Sequence, residues 1–157
     1  MRSKIGGNDM LKGIPGIINP VLLKALADMG HGDIIAIVDD FYPTVSMAKS
    51  GRYVDADGIG AAEMVDAILQ LMPLDTAFCE HPVMIMDVME EQKASTPRPK
   101  IWDAFIDAVK KNEPKGEDCI GFIDRFAFYE KAKTSFIHVA TGERQPYGCI
   151  LLQKGVM

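Results

Sequence analysis

The sequence predicts an α/β domain, a sandwich of helices and strands built around a mixed sheet. Three observations carry that prediction. Ile34-Ile35-Ala36-Ile37-Val38 is an unbroken β-prone run, as in strands covered on both faces. Segments with helical apolar spacing alternate along the chain with short β-prone runs, the pattern of an α/β fold. Finally, 157 residues at 48% hydrophobic and 25% charged suit one globular domain that makes its core without disulfides or a structural metal.

Residues 1–9, ending before a second methionine at Met10, read as an N-terminal appendage, with 10–157 as the single domain. Asn19 as cap and Pro20 at the first helical position open a helix whose apolar face is Val21, Leu22, Ala25, Leu26 and Met29, with Gly30 as its stop. Ile34–Val38 follows as a strand ending at Asp39-Asp40. Residues 41–57 read as a long loop, and long loops are more often functional. With Asp57 as its cap, the next helix carries Ala61, Met64, Val65, Ile68 and Leu69 on one face and stops before Pro73. Phe78 to Met89 reads as a strand around Pro82, and a polar stretch with Pro97 and Pro99 leads to an amphipathic helix bearing Ile101, Trp102, Phe105 and Val109. Residues 119–123 suit a short strand, Arg125 to Ser135 a helix and Phe136 to Ala140 a strand. Gly148 to Gln153 suits a last strand in a hairpin-like return.

Charge and cysteine usage exclude several function classes. The 17 basic and 22 acidic residues give a net charge of −5, and no basic run tracks a phosphate backbone, so nucleic acid is not an expected partner. No stretch reaches the ~20 apolar residues of a membrane span, and the start has no apolar signal-peptide core. Cys79, Cys119 and Cys149 are odd in number and widely spaced, which fits a reducing compartment and a cytoplasmic protein.

A few residues exceed what the fold needs. Gly30-His31-Gly32-Asp33 puts a histidine between two residues without side chains, at a helix C-terminus that favours positive charge. An imidazole there can exchange protons near neutral pH with a small ligand; the plainer reading is a solvent-facing capping histidine. Asp39 and Asp40 end the first strand, where ligands bind in open α/β sheets, unless both are solvated loop acids. Arg125 opens a helix, a position the dipole does not favour for a cation, so its fork is wanted elsewhere. Tyr147 precedes Gly148 and can present its hydroxyl beside exposed backbone. Trp102 and the methionines of Val83-Met84-Ile85-Met86 read as core, although soft side chains also line pockets.

Three pattern matches fail. Gly58-Ile59-Gly60-Ala61-Ala62-Glu63 has glutamate where a dinucleotide fingerprint needs glycine. Asp55-Ala56-Asp57 opens like a calcium loop but continues with Ile59 at a ligand position. Cys79-Glu80-His81 has no second cluster to complete a metal site, so no metal is expected.

Taken together, Leu23 to Asp33, Asp39, Arg125-Phe126-Ala127-Phe128-Tyr129-Glu130, Thr141-Gly142-Glu143-Arg144, Tyr147-Gly148 and Lys154-Gly155-Val156 resemble the ribose pyranase and fucose mutarotase (RbsD/FucU) family over nearly the whole chain. The Arg125 block and Gly142-Glu143-Arg144 resemble the fucose branch. The resemblance implies an RbsD-like subunit, a three-layer α/β/α sandwich, in pentameric rings that can pair as decamers, with sites at subunit contacts. It also implies cofactor-free interconversion of sugar anomers. His31 matches the catalytic acid/base, Asp39 and Arg125 match substrate-binding positions, and Tyr147, Gly148 and Cys149 match the C-terminal binding segment. On this reading Asp39 accepts sugar hydroxyls or orients the histidine. The chain departs from the pattern at Cys149, where fucose mutarotases typically carry asparagine, and at Asp40 and Phe41, where alanine and histidine are typical. A thiol is a weaker hydrogen-bond partner than an amide, so the preferred aldose stays open. The alternatives are a D-ribose pyranase and a non-catalytic sugar-binding protein.

Overall fold

Alternation of side chains along short strands sorts the apolar residues onto two faces of one sheet. In the computed structural model, which describes residues 11–157, the elements are α1 (Pro20–Asp28), β1 (Ile34–Val38), α2 (Thr44–Met47), β2 (Tyr53–Ala56), α3 (Ala61–Leu69), β3 (Val83–Met86), α4 (Lys100–Asn112), β4 (Ile120–Ile123), α5 (Arg125–Ala132), β5 (Ile137–Thr141) and β6 (Ile150–Gln153). The proposed appendage, 1–9, lies outside the described residues.

The six strands form one sheet in the order β2-β5-β1-β6-β3-β4. β2, β5 and β1 are parallel, as are β3 and β4, and β6 runs antiparallel between the two groups. The sheet is therefore mixed, as expected. One face, with Ile35, Ile37, Ile85, Val139 and Leu152, packs against α1, α3 and α4. The other, with Ile34, Ala36, Val38, Met86 and Leu151, is covered by Phe128 and Ala132 of α5 and by Tyr42. These are the three layers.

Several expectations are corrected. The loop expected over 41–57 contains α2 and β2. The latter is an edge strand of four residues with Val54 alone buried, so it offers little hydrophobic pattern. The strand expected from Phe78 to Met89 is confined to Val83–Met86, because it pairs only as far as its neighbours reach. There is no C-terminal hairpin: β1 lies between β5 and β6 and hydrogen-bonds both. Asn19 caps α1 as expected, its side chain accepting from the Leu22 N–H at 2.8 Å, but the helix ends before Gly30. The glycine with positive φ is Gly32 (87°), and the Gly30 N–H instead donates to Asp33 Oδ2 at 2.7 Å. Asp57 does not cap α3. The Ala61 N–H at that helix start donates to Glu143 Oε2 at 3.3 Å, a cap delivered from the far end of the chain.

Trp102 is buried against Phe122, with ring centroids 4.8 Å apart, as a core residue. Cys79 is half-buried, Cys119 and Cys149 are buried, and all three are free thiols. Among the described residues, no helix is long and apolar enough to cross a membrane, and no cluster of three His, Cys, Asp or Glu side chains could hold a metal ion.

Candidate functional site

Parallel pairing of β1 with β5, and of β3 with β4, fixes which loops share an end of the sheet. Asp39 follows β1, Arg125 follows β4, and Met86 ends β3, so their C-terminal ends gather on one side. The antiparallel β6 begins there, which brings Tyr147, Gly148 and Cys149 to the same place. Together Asp39, Arg125, Tyr147 and Cys149 border a cavity of about 290 Å³ with Tyr42, Met86 and Tyr129.

Asp39 is only 6% exposed. Its carboxylate accepts from the Phe41 N–H at 3.1 Å and from the Gly148 N–H at 3.2 Å. Burial raises its pKa above the usual carboxylate value, and those backbone donors with the Cys149 thiol offset the rise in part. Gly148 is required by this contact, since a Cβ would stand 2.9 Å from Glu143 Cγ and 3.4 Å from Asp39 Cβ. Tyr147 has a φ of 61°, a left-handed conformation that costs a residue with a Cβ about 1–2 kcal/mol. Its hydroxyl donates to Gln92 Oε1 at 3.1 Å. Arg125 is the first residue of α5, as expected, and Asp124 caps the helix, its side chain accepting from the Phe126 and Ala127 N–H groups. Arg125 is thereby left free of the cap, and its Nε donates to the Tyr129 hydroxyl at 3.2 Å. Cys149 is 2% exposed; burial, with the charge of Asp39, raises its pKa and keeps it a neutral thiol.

His31 is not in this cavity. It precedes β1, and the strand's four steps alone put roughly 13 Å between the two ends. At that opposite end, β6 pairs beyond its last residue with the segment before β3: Leu74 bridges Lys154, and the Asp75 N–H donates to the Gln153 carbonyl at 3.0 Å. Asp75, 3% exposed, is thereby fixed beside the histidine, with Oδ1 at 3.1 Å from His31 Nε2. Gln153 Nε2 donates to its other oxygen at 3.0 Å. Burial opposes ionisation of Asp75, but the Gln153 amide, the nearby His31 imidazole and the Phe78 N–H outweigh it, so the carboxyl titrates below the usual range. The carboxylate facing His31 within the chain is Asp75 and not Asp39. The imidazole is 41% exposed, and its Nδ1 has no partner among the described residues. Phe78, 76% exposed, lies beside it with ring centroids 5.2 Å apart.

Sequence reasoning missed Asp75, Gln153 and Phe78. A lone aspartate after Leu74 carries no motif, and only the β6 pairing reveals it. Tyr129 was visible within the Arg125 block, but not its bond to the guanidinium. A larger cleft of about 400 Å³, between the ends of α3 and α4, contains none of the candidate residues.

Comparisons with known proteins place the chain in a family. A family model described as the RbsD / FucU transport protein family matches residues 12–157. The bovine (Bos taurus) fucose mutarotase is 39% identical over 149 residues, covering 94% of this chain and 95% of its own. The crystal structure of the fucose mutarotase in complex with L-fucose from Streptococcus pneumoniae superposes with a TM-score of 0.85 at 37% identity, covering 94% of this chain and 99% of that one. Bacillus subtilis RbsD complexed with D-ribose is more distant, with a TM-score of 0.66 and 25% identity over 90% of this chain and 96% of its own.

Proposed function

Because the chain belongs to the RbsD / FucU transport protein family, we propose that it is a mutarotase, an isomerase interconverting the α and β anomers of L-fucose or a closely related aldose. The observation that carries this reading is the division of the candidate residues into two complementary halves. One is an exposed imidazole backed by a buried carboxylate; the other is a cavity of sugar size walled by Asp39 and Arg125. The fucose-acting relatives favour L-fucose over D-ribose, since the ribose-bound relative is the more distant.

Anomer exchange moves one proton and one bond. The anomeric O1–H is deprotonated, the ring oxygen takes up a proton, and the C1–O5 bond breaks with its electron pair going to O5 as the aldehyde forms. Rotation about C1–C2 and re-addition of the O5 hydroxyl close the ring on the other face. His31 takes the O1 proton and returns it to O5, a shuttle suited to an imidazole, which can accept on one ring nitrogen while the other is held. Asp75 steadies the imidazolium between those steps and holds Nε2, leaving Nδ1 for the sugar. At the cavity, Asp39 accepts from sugar hydroxyls and Arg125 donates to sugar oxygens. With its O–H donated in a hydrogen bond to Gln92, the Tyr147 oxygen keeps lone pairs to accept from a sugar hydroxyl. Gly148 and Cys149 shape the wall behind it.

No monosaccharide reaches from His31 to Asp39 along one chain. The working site therefore takes His31 from one copy and the cavity from another, so the protein acts as a homo-oligomer. Pentameric rings that pair as decamers are the arrangement this reading adopts, with the 10–157 domain as the repeating unit and the cytoplasm as its location. No nucleic acid or membrane partner enters the scheme.

The test is exchange NMR of the anomers of L-fucose, with D-ribose alongside, using native protein and His31→Ala. Faster L-fucose exchange that His31→Ala abolishes supports the proposal. Faster exchange of ribose alone turns the reading toward a pyranase. Anomer signals that shift or broaden without faster exchange mean a binding protein and overturn it.

A further inference from the structure

The cavity is polar along Asp39 and Arg125 and apolar along the wall beside them. Met86 and Cys149 are backbone neighbours, the Met86 N–H donating to the Cys149 carbonyl at 3.1 Å, and both side chains belong to the apolar cluster on that face of the sheet. Tyr42 joins the same cluster, but its hydroxyl lies 3.4 Å from His138 Nε2 inside the protein. The cavity thus meets its ring rather than its oxygen. The polar capacity of Cys149 is also spent internally, because Sγ accepts the Asp39 N–H at 3.5 Å and the thiol lies against the Asp39 carboxylate. Three adjacent lining residues therefore offer a ligand no free donor or acceptor.

A hydroxyl pressed against such a wall gives up water and finds no partner, whereas a methyl group gains from burial. In an aldohexose every carbon bears oxygen; in a 6-deoxy sugar one does not. Resting on the mutarotase reading, we propose that the Tyr42–Met86–Cys149 wall receives the substituent at C5 of the sugar ring and selects for a methyl there, with Cys149 as the residue that sharpens the choice. An asparagine in its place would present a donor and an acceptor to that substituent.

Three sugars that differ only at C5 test this: D-arabinose with hydrogen, L-fucose with methyl and L-galactose with hydroxymethyl. Exchange NMR on native protein should give a kcat/KM for L-fucose about 10²-fold above L-galactose and about tenfold above D-arabinose. Cys149→Asn should compress the fucose-to-galactose ratio by about tenfold. Cys149→Ser, nearly isosteric, should compress it less and covers the case in which the amide is too large for a buried position. Equal native rates on L-fucose and L-galactose overturn the proposal, and so does a ratio that neither variant changes. Failure to accelerate any of the three is a different result: it removes the mutarotase reading and this inference with it.

Discussion

His138 is fully buried beneath the cavity, stacked on Tyr42 at 5.7 Å between ring centroids, and its Nδ1 has no hydrogen-bond partner. Burial lowers its pKa from 6.5 to about 4, so the folded protein holds it neutral where an unfolded chain binds a proton. Stability should therefore fall as pH drops from about 6.5 to about 4 and level off below, by about 3 kcal/mol in all. Urea unfolding across that range measures it, and His138→Val should flatten the slope. Asp75 makes a second prediction at this scale. Asp75→Asn keeps the shape beside His31 but removes the charge, and should lower kcat on L-fucose by about 10²-fold with little change in KM. An equal loss in both constants would mean a packing role. Asp39, Arg125 and Tyr147 were legible because strand ends and helix starts have known chemistry. Asp75 was not, since its meaning depends on pairing with residues almost 80 positions away, as in its 3.0 Å bond from Gln153 across 78 positions.

Helices announce themselves through spacing and caps, and α1, α3, α4 and α5 were readable in that way. The missed details were those supplied from elsewhere in the chain. α3 lacks a local side-chain cap because Glu143 provides one, its Oε2 accepting from Ala61 while Oε1 accepts from the Gln145 N–H at 3.0 Å. Glu143→Ala should lower the unfolding free energy by about 1 kcal/mol, read from the urea midpoint at unchanged slope. The same contact ties α3 to the segment leading into Tyr147, so the variant should also weaken sugar binding at the cavity. β2 escaped notice for the opposite reason. Tyr53 and Asp55 are exposed, and an edge strand of four residues needs no apolar alternation when its pairing partner is already buried.

For the whole molecule, fold class followed from the alternation of elements and layer number from the family resemblance, but strand order followed from neither, because nothing local specifies which strands become neighbours. That order separates His31 from the cavity, and the proposed site, shared between copies of the chain, predicts complementation. Mixing inactive His31→Ala with inactive Arg125→Ala, after dissociation and reassembly, should restore about a quarter of native activity on L-fucose, the share of sites with both halves intact. A site contained within one chain would give no recovery. The position of β6 has a temporal consequence. The strand made last by the ribosome is the one that joins β2-β5-β1 to β3-β4, so a nascent chain carries two unconnected parallel patches until Ile150–Gln153 emerges. Its pairing with Ile34–Ile37 also closes the longest loop in the sheet, a slow step by the usual dependence on contact order. Ending the chain at Gly148 should therefore abolish cooperative unfolding altogether, and the native protein should refold in a single late phase in which both patches lock at once.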